Sequence, residues 1–419
     1  MKTIFKALFL FITLGMSAQQ SATKSEVVTK ALQEKVALTN TSIIKNISFS
    51  NIGPTIMSGR VADIDVNPND PTEFYVGYAS GGLWYTKNNG TSFIPLLDNS
   101  PTQNVGDIAV DWDNGTIWVG TGEKNSSRSS YAGIGMLKSY NQGKTWEHVG
   151  LSDSHHVSRI VINSNNPEEV VVGVIGHLYS PNEERGVFKT LDGGKTWKKT
   201  LFVNNDTGII DVVAAPENPN VLYAASWERE RKAWNFDGDG NHSAIYKSTD
   251  AGDTWENISN DNGFRNGAGV GRIGLSVYDE NTVYAIHDSQ FRRKSEKKEK
   301  KSLNGLKKED FKKMSTEEFL ALTDKNLNNY LRANRFQQKY TSKTVKKMVS
   351  QGTVMPIDLA KYLEDANSLL FDTPVEGAEV FVTTNGGKNW SKTHKNHIDG
   401  LYYSYGYYFG EIRVDPQDK

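Results

Sequence analysis

The chain has 419 residues, of which 37% are hydrophobic and 37 are glycine. That is enough for one large domain or two to three ordinary ones, and it excludes a wholly disordered protein. Net charge is −1, from 48 basic and 49 acidic residues, so no global field points to nucleic acid. The absence of cysteine excludes disulfides, thiolate metal sites, cysteine nucleophiles and a lipidated cysteine.

Met1–Ala18 reads as a secretory signal. Lys2 and Lys6 supply the positive start, Ala7–Leu14 the apolar run, and Gly15–Ala18 a mostly small-residue cleavage region. The run is too short to span hydrocarbon, and no other segment reaches the required length. Export is therefore expected, with no transmembrane segment. Residues 19–46 form an N-terminal extension, and residues 47–419 carry a repeat.

One phrase recurs along the repeat: TKNNGTSF at Thr86–Phe93, SYNQGKTW at Ser139–Trp146, TLDGGKTW at Thr190–Trp197, STDAGDTW at Ser248–Trp255 and TTNGGKNW at Thr383–Trp390. Its glycines, Gly90, Gly143, Gly194, Gly252 and Gly387, are spaced by 53, 51, 58 and 135 residues. The last gap is one repeat plus an insertion. A period of this size predicts a solenoid or propeller. Around each phrase four short strands follow one another, joined by compact Asn/Pro/Asp turns such as Asn67–Pro71 and Pro216–Asn220. Four antiparallel strands per repeat make one propeller blade.

The phrase itself predicts a turn. Its Asp or Asn is expected to accept hydrogen bonds from backbone N–H groups two residues on. Its glycine takes φ > 0, and its aromatic buries surface between blades. Asp192 and Asp250 are not read as catalytic acids, because Asn fills the same place in three copies.

This phrase is the Asp-box, or BNR repeat. The chain resembles the Asp-box propeller superfamily of sialidases, xyloglucanases and the ten-bladed sortilin-type receptor domain. It looks closest to secreted bacterial proteins with a sortilin-like propeller, often labelled BNR-repeat glycosyl hydrolases. The resemblance covers about Ile47–Phe291 and Glu379–Lys419. It implies an all-β fold: a beta-propeller of four-stranded antiparallel blades, incomplete in this chain, with a helical insertion in the fifth blade. Gly410–Lys419 matches the first strand and turn of a sixth unit, and Ile47–Ile52 is a candidate closing strand.

Strand parity places the second connection of every blade at one end, opposite the Asn/Pro turns and the boxes. The long stretches Thr121–Gly133, Val174–Glu184, Ser226–Ser243 and Ile286–Ala378 all emerge there, on the face where repeat proteins usually bind. Arg60, Glu123, His177, Arg185, Trp227 and Arg231 are the candidate ligand-binding residues, since aromatic and guanidinium groups together suit carbohydrate, peptide or carboxylate ligands. The bland alternative is that Arg185 and Arg231 pair with local glutamates to brace the loops. Tyr402–Tyr408 is expected to approach the same face.

The resemblance to hydrolases lacks its key residues. A xyloglucanase-type catalytic Asp falls on Ala79 in the YASGG run Tyr78–Gly82, and the sialidase Phe/Tyr-Arg-Ile-Pro motif does not occur. The expected function is a secreted, sortilin-like module that binds a peptide, protein or carbohydrate partner. The alternative is a glycoside hydrolase acting on polysaccharide. No cofactor is expected. Asp237, Asp239 and Asn241 resemble the start of a calcium loop, but His242 and Ser248 stand where that loop needs Gly and Glu. His155 and His156 lack a spaced partner, so no residue is assigned to a metal. The insertion, residues 292–373, is basic: Arg292–Ser350 holds 18 Lys/Arg and 7 Asp/Glu. It should start as a solvated run and continue as helices, with a capping box at Ser315 and Glu318 and helical patterns over Asn326–Phe336 and Ile357–Leu369.

Overall fold

A computed structural model describes residues 22–47, 49, 59–232, 234–293, 306–334, 336–362, 375–398, 401 and 405–418. Met1–Ala18, expected as a signal, most of Ile47–Ile52, the run Lys294–Lys301 and Tyr402–Ser404 lie outside the described residues. The chain divides into two compact units, Met1–Gln290 with Gly377–Lys419, and Phe291–Glu376.

The first unit holds five four-stranded antiparallel blades, each in sequential order. They are β1 (Val61–Val66) to β4 (Ile94–Pro95), β5 (Val105–Asp111) to β8 (Glu147–His148), and β9 (Val157–Asn163) to β12 (Lys198–Leu201). The fourth comprises β13 (Thr207–Ala215), β14 (Asn218–Glu228), β17 (Ile245–Ser248) and β18 (Glu256–Asn257). Its second connection carries a small hairpin, β15 (Glu230–Arg231) with β16 (Phe236–Asp237). The fifth comprises β19 (Val270–Val277), β20 (Val283–Arg292), β21 (Val375–Thr383) and β22 (Ser391–Lys392). The first strands of consecutive blades are neighbours.

The cores lie between blades rather than within them, because a single sheet cannot bury its own face. Tyr75 and Leu83 of the first blade pack with Ile108, Ile117 and Leu137 of the second. Trp118 and Met136 of the second pack with Ile160, Val172 and Phe188 of the third. Val171 and Val187 meet Ile209, Leu222 and Ala224.

The box aromatic staples each pair. Trp146 Nε1 donates to Leu96 O at 2.8 Å, Trp197 to Val149 O at 2.6 Å, Trp255 to Thr200 Oγ1 at 3.2 Å and Trp390 to Ile258 O at 2.9 Å. These acceptors all belong to the preceding blade, and Trp255 Nε1 also donates to Gly252 O of its own box at 3.1 Å. The turn chemistry differs from the expected two-residue span. The box Asp or Asn accepts the N–H four residues on, at 2.9–3.0 Å in all five copies. A hydroxyl two residues before the Asp or Asn accepts the glycine N–H at 2.9–3.0 Å. The five glycines have φ from +76° to +93°, a conformation in which a β-carbon is strained.

The extension preceding the blades contains helix α1 (Ser25–Thr41), which has no buried residue. Gly410–Val414, expected as a first strand, forms no ladder. It runs beside β19, with Val414 N–H donating to Ser276 Oγ at 2.9 Å. First strands elsewhere pair with their own second strand.

The second unit is helical: α2 (Lys308–Lys313), α3 (Thr316–Ala321), α4 (Asp324–Ala333), α5 (Ser342–Ser350) and α6 (Pro356–Tyr362). The capping box at Ser315 and Glu318 is present. α2 and α5 lay outside the sequence pattern. The unit has its own apolar core of Phe311, Phe319, Leu327, Leu331, Val345 and Leu359.

Candidate functional site

One residue position in the first strand organises the blades. The third residue of the motif is charged throughout: Asp63, Asp107, Arg159, Asp211 and Arg272, with Glu411 at the matching place beyond the fifth blade. At or just before it, the ladder of each blade shifts register. Such a bulge re-aims a side chain. Here the carboxylates turn to the inner edge of the next blade. Asp63 accepts Ile108 N–H at 3.3 Å, Asp107 accepts Ile160 N–H at 2.8 Å and Asp211 accepts Leu275 N–H at 3.0 Å.

Arg159 bridges Asp211 at 2.9 Å, Asp107 at 3.3 Å and Asp63 at 3.7 Å. Lys124, buried, bridges Asp107 at 3.1 Å and Glu411 at 3.6 Å. Against the cost of burial, these carboxylates hold the Arg159 guanidinium well above its usual range. Burial pushes the Asp63 carboxyl up, and burial together with repulsion from Asp63 pushes the Asp107 carboxyl up. This network is internally compensated, and its role is structural. Its signal in the sequence was a charge recurring at one aligned strand position.

The second connections and the segments leading into first strands meet at the other end from the boxes. Glu123, 1% exposed, is the hub. Its carboxylate takes a two-point ion pair from Arg60 and accepts from Ser130 Oγ at 2.9 Å, Tyr408 OH at 3.1 Å and Asn125 Nδ2 at 3.3 Å. Arg272 reaches the same loop through Asn125 Oδ1 at 2.6 Å and holds Tyr408 O at 2.8 Å. Tyr405–Phe409 therefore joins this face, as expected of the aromatic run.

Arg185 is buried and braces its own loop. It donates to His177 O, Ser180 O, Asp206 O and Asn182 Oδ1 at 2.9–3.1 Å, and burial lowers its guanidinium to about 10. Arg229 also points at His177 O and Leu178 O. Arg231 donates to Ser126 O at 3.0 Å and lies 3.8 Å over the Phe236 ring. Arg185 and Arg231 thus hold loops through backbone carbonyls, an amide and an aromatic ring, not through the local glutamates expected of the bracing alternative.

Trp227 requires a correction. It was selected as an exposed loop aromatic, yet β14 continues through Glu228 and buries it completely, with Nε1 donating to Gly238 O at 2.8 Å. The exposed aromatics of these loops are others: Tyr131 at 57%, Tyr179 at 45% and Trp234 at 82%. They sit on the second connections of three successive blades, and Tyr179 OH donates to Arg128 O, joining two of those loops. Their signal was aromatic residues inside polar loops.

Asp237 is in β16 and accepts from Asn235, while His242 pairs with Glu228 at 3.0 Å. His155, read as lacking a partner, has one. Its ring stacks on His177 with centroids 3.7 Å apart, and both face Asp153. Asp288 is buried where β20 enters its long connection. Burial, with Asp239 adding to it, pushes its carboxyl up to about 7 against the Gln290 hydrogen bond and Arg272.

No helix among the described residues is long and apolar enough to cross a membrane. Solved structures with this architecture include a GH74 enzyme of Niastella koreensis, 18% identical over 85% of this chain and 42% of that chain, with a TM-score of 0.47. The GH74 xyloglucanase of Xanthomonas campestris is 13% identical over the same shares, with a TM-score of 0.45. YCF48 bound to D1 peptide is 12% identical over 55% of this chain and 63% of that chain, with a TM-score of 0.35. The chain spans less than half the length of either hydrolase. No curated protein sequence matches it. The family model described as sortilin, neurotensin receptor 3 (Sortilin-Vps10) matches residues 135–355, more than half of the chain. With five Asp-box blades around that match, the chain belongs to the sortilin/Vps10 family.

Proposed function

We propose that this protein is an exported binding module that holds a peptide or carbohydrate partner on the long-connection end of its blades. The observation that carries this reading is the state of Glu123. It is a buried acidic residue of that end, and its carboxylate is fully engaged by Arg60, Ser130, Asn125 and Tyr408. A general acid or base needs a carboxylate that reaches the substrate and changes protonation. An engaged carboxylate instead fixes the loops around it, and preorganised loops lower the entropic cost of binding. Ala79, at the place of the xyloglucanase-type acid, is buried and has no side chain for proton transfer. Tyr131, Tyr179 and Trp234 supply exposed, rigid aromatic faces beside these fixed loops, suited to a sugar ring or a peptide side chain.

The hydrolase reading has one observation in its favour. Asp288 carries a carboxyl raised to about 7, and Asp239 contributes to that rise. Glycoside hydrolysis uses one carboxyl held protonated beside a second carboxylate.

Binding of the secreted chain to peptide and glycan arrays, with polysaccharide hydrolysis assayed in parallel, separates the two. Binding without turnover, lost in Trp234→Ala, supports the module. Turnover abolished by Asp288→Asn overturns it in favour of the hydrolase.

A further inference from the structure

We propose that Asp153, His155 and His177 form a binding site for a divalent transition metal of the zinc class, with one coordination position left open. Asp153 and His155 lie in the connection that leads into β9, and His177 opens the connection after β10. The pairing of β9 with β10 brings them together. His177 Nε2 lies 3.2 Å from Asp153 Oδ1, and His155 Nε2 lies 3.7 Å from the same oxygen. The three ligand atoms all fall within 4.8 Å of one another. Bonds of about 2.0–2.1 Å at tetrahedral angles put ligand atoms about 3.3 Å apart, close to the spacing of these nitrogens from the Asp153 oxygen.

The two imidazoles are stacked at 3.7 Å with 20° between their planes, so one ring turns about its side-chain torsions for both Nε2 lone pairs to converge on an ion. Two other features point to the site. His155 holds φ at +54°, a left-handed conformation that non-glycine residues adopt at a cost and that clusters at ligand sites. His177 is positioned from behind. Its Nδ1 lies 3.1 Å from Ser180 Oγ, leaving Nε2 directed at the site. Its carbonyl is gripped by the buried Arg185 and approached by Arg229. Such second-layer contacts are what orient a ligating histidine. Both guanidiniums are directed at backbone carbonyls, and Glu184 adds a carboxyl near Asp153 and His177.

Two imidazoles and one carboxylate suit zinc, cobalt or nickel rather than calcium or magnesium, which prefer all-oxygen sites. Three protein ligands with partial solvent access leave a fourth position for water or for a donor atom of a bound molecule.

The test uses the whole chain, stripped with chelator and titrated with Zn2+ alone and with Co2+ alone. We expect one tight Zn2+ per chain, a tetrahedral Co2+ absorption spectrum, and a rise in melting temperature with Zn2+. His155→Gln and His177→Gln should each weaken Zn2+ binding at least about 10–100-fold, the loss seen even for changes around the ligands. His148→Gln, at an exposed histidine outside the cluster, should not. Circular dichroism reports folding of each variant, and if His177→Gln fails to fold, His155→Gln decides. No Zn2+ uptake by the stripped wild type, or undiminished affinity in a folded His155→Gln chain, overturns the site.

Discussion

The two ends of the blades are built on opposite principles. At the box end the turn bonds are local and repeated: the same five-residue span closes the same turn five times, with distances agreeing to about 0.1 Å. At the long-connection end a backbone bond still repeats, from the start of each second connection to the segment before the first strand, but the side-chain bonds differ from blade to blade, and several join partners far apart in sequence. Arg60 reaches Glu123, Arg231 reaches Ser126 and Arg272 reaches Asn125 and Tyr408. Repetition makes the fold robust and says nothing about ligand. The long-connection end gives each loop its own side-chain partners, and that is where recognition can be particular to this protein.

The largest effect should come from the box end. Trp197→Ala removes an aromatic packed between the second and third blades, together with its bond to Val149 O. A loss of about 3–5 kcal/mol is expected, read as a large fall in the urea midpoint. An unchanged midpoint would remove the staple from the account of the fold.

Next is the hub of the other end. Glu123→Gln leaves the shape but takes away the charge facing Arg60. Hydrogen bonds to charged groups contribute about 1.5–3 kcal/mol, so the variant should be destabilised by that order. Arg60→Ala made in the same background should add little. Full additivity of the two would show that they do not act as a pair.

The ends should also respond to pH with opposite sign. Asp192 is held down to about 2 by Thr196 and the turn N–H groups. Its stabilisation is present above the unfolded value of about 3.9 and is lost as pH falls through about 2. Asp288 is the reverse. Its folded value of about 7 lies above the unfolded one, so its contribution is full below about 4 and disappears as pH rises through 7. Melting curves of Asp288→Asn should therefore be flatter than wild type between these limits. A parallel decline in both proteins would exclude Asp288 as the source.

The smallest stability effect is predicted for Trp234→Ala. This residue is 82% exposed, and surface substitutions usually change stability by less than about 0.5 kcal/mol. Its effect should appear in ligand binding instead. Trp227→Ala, seven residues earlier, should do the opposite and cost several kcal/mol, because that ring is buried.

Trp227 and Trp234 show what loop composition can and cannot reveal. Both stand in one Arg- and Trp-rich run, and nothing local distinguishes them. The difference is that β14 extends to Glu228 and carries Trp227 into the interior. His155 makes the same point. Its partners Asp153 and His177 are separated by 24 residues, and only the β9–β10 pairing joins them. The basic insertion was legible as helical, yet its internal core of Phe311, Phe319 and Leu331 was not, since short helices bury residues against one another rather than along one periodic face.

The sequence alone determined the blades. A repeated Asn/Asp–Gly–aromatic phrase encodes its turn within eight residues, and alternating strands encode their own pairing, so local chemistry suffices. Tertiary structure alone decided the site. Which carboxylate is engaged, which tryptophan is buried and which histidines meet depend on contacts between loops from different blades. Those contacts form between residues up to 285 positions apart, and no local pattern constrains such distances.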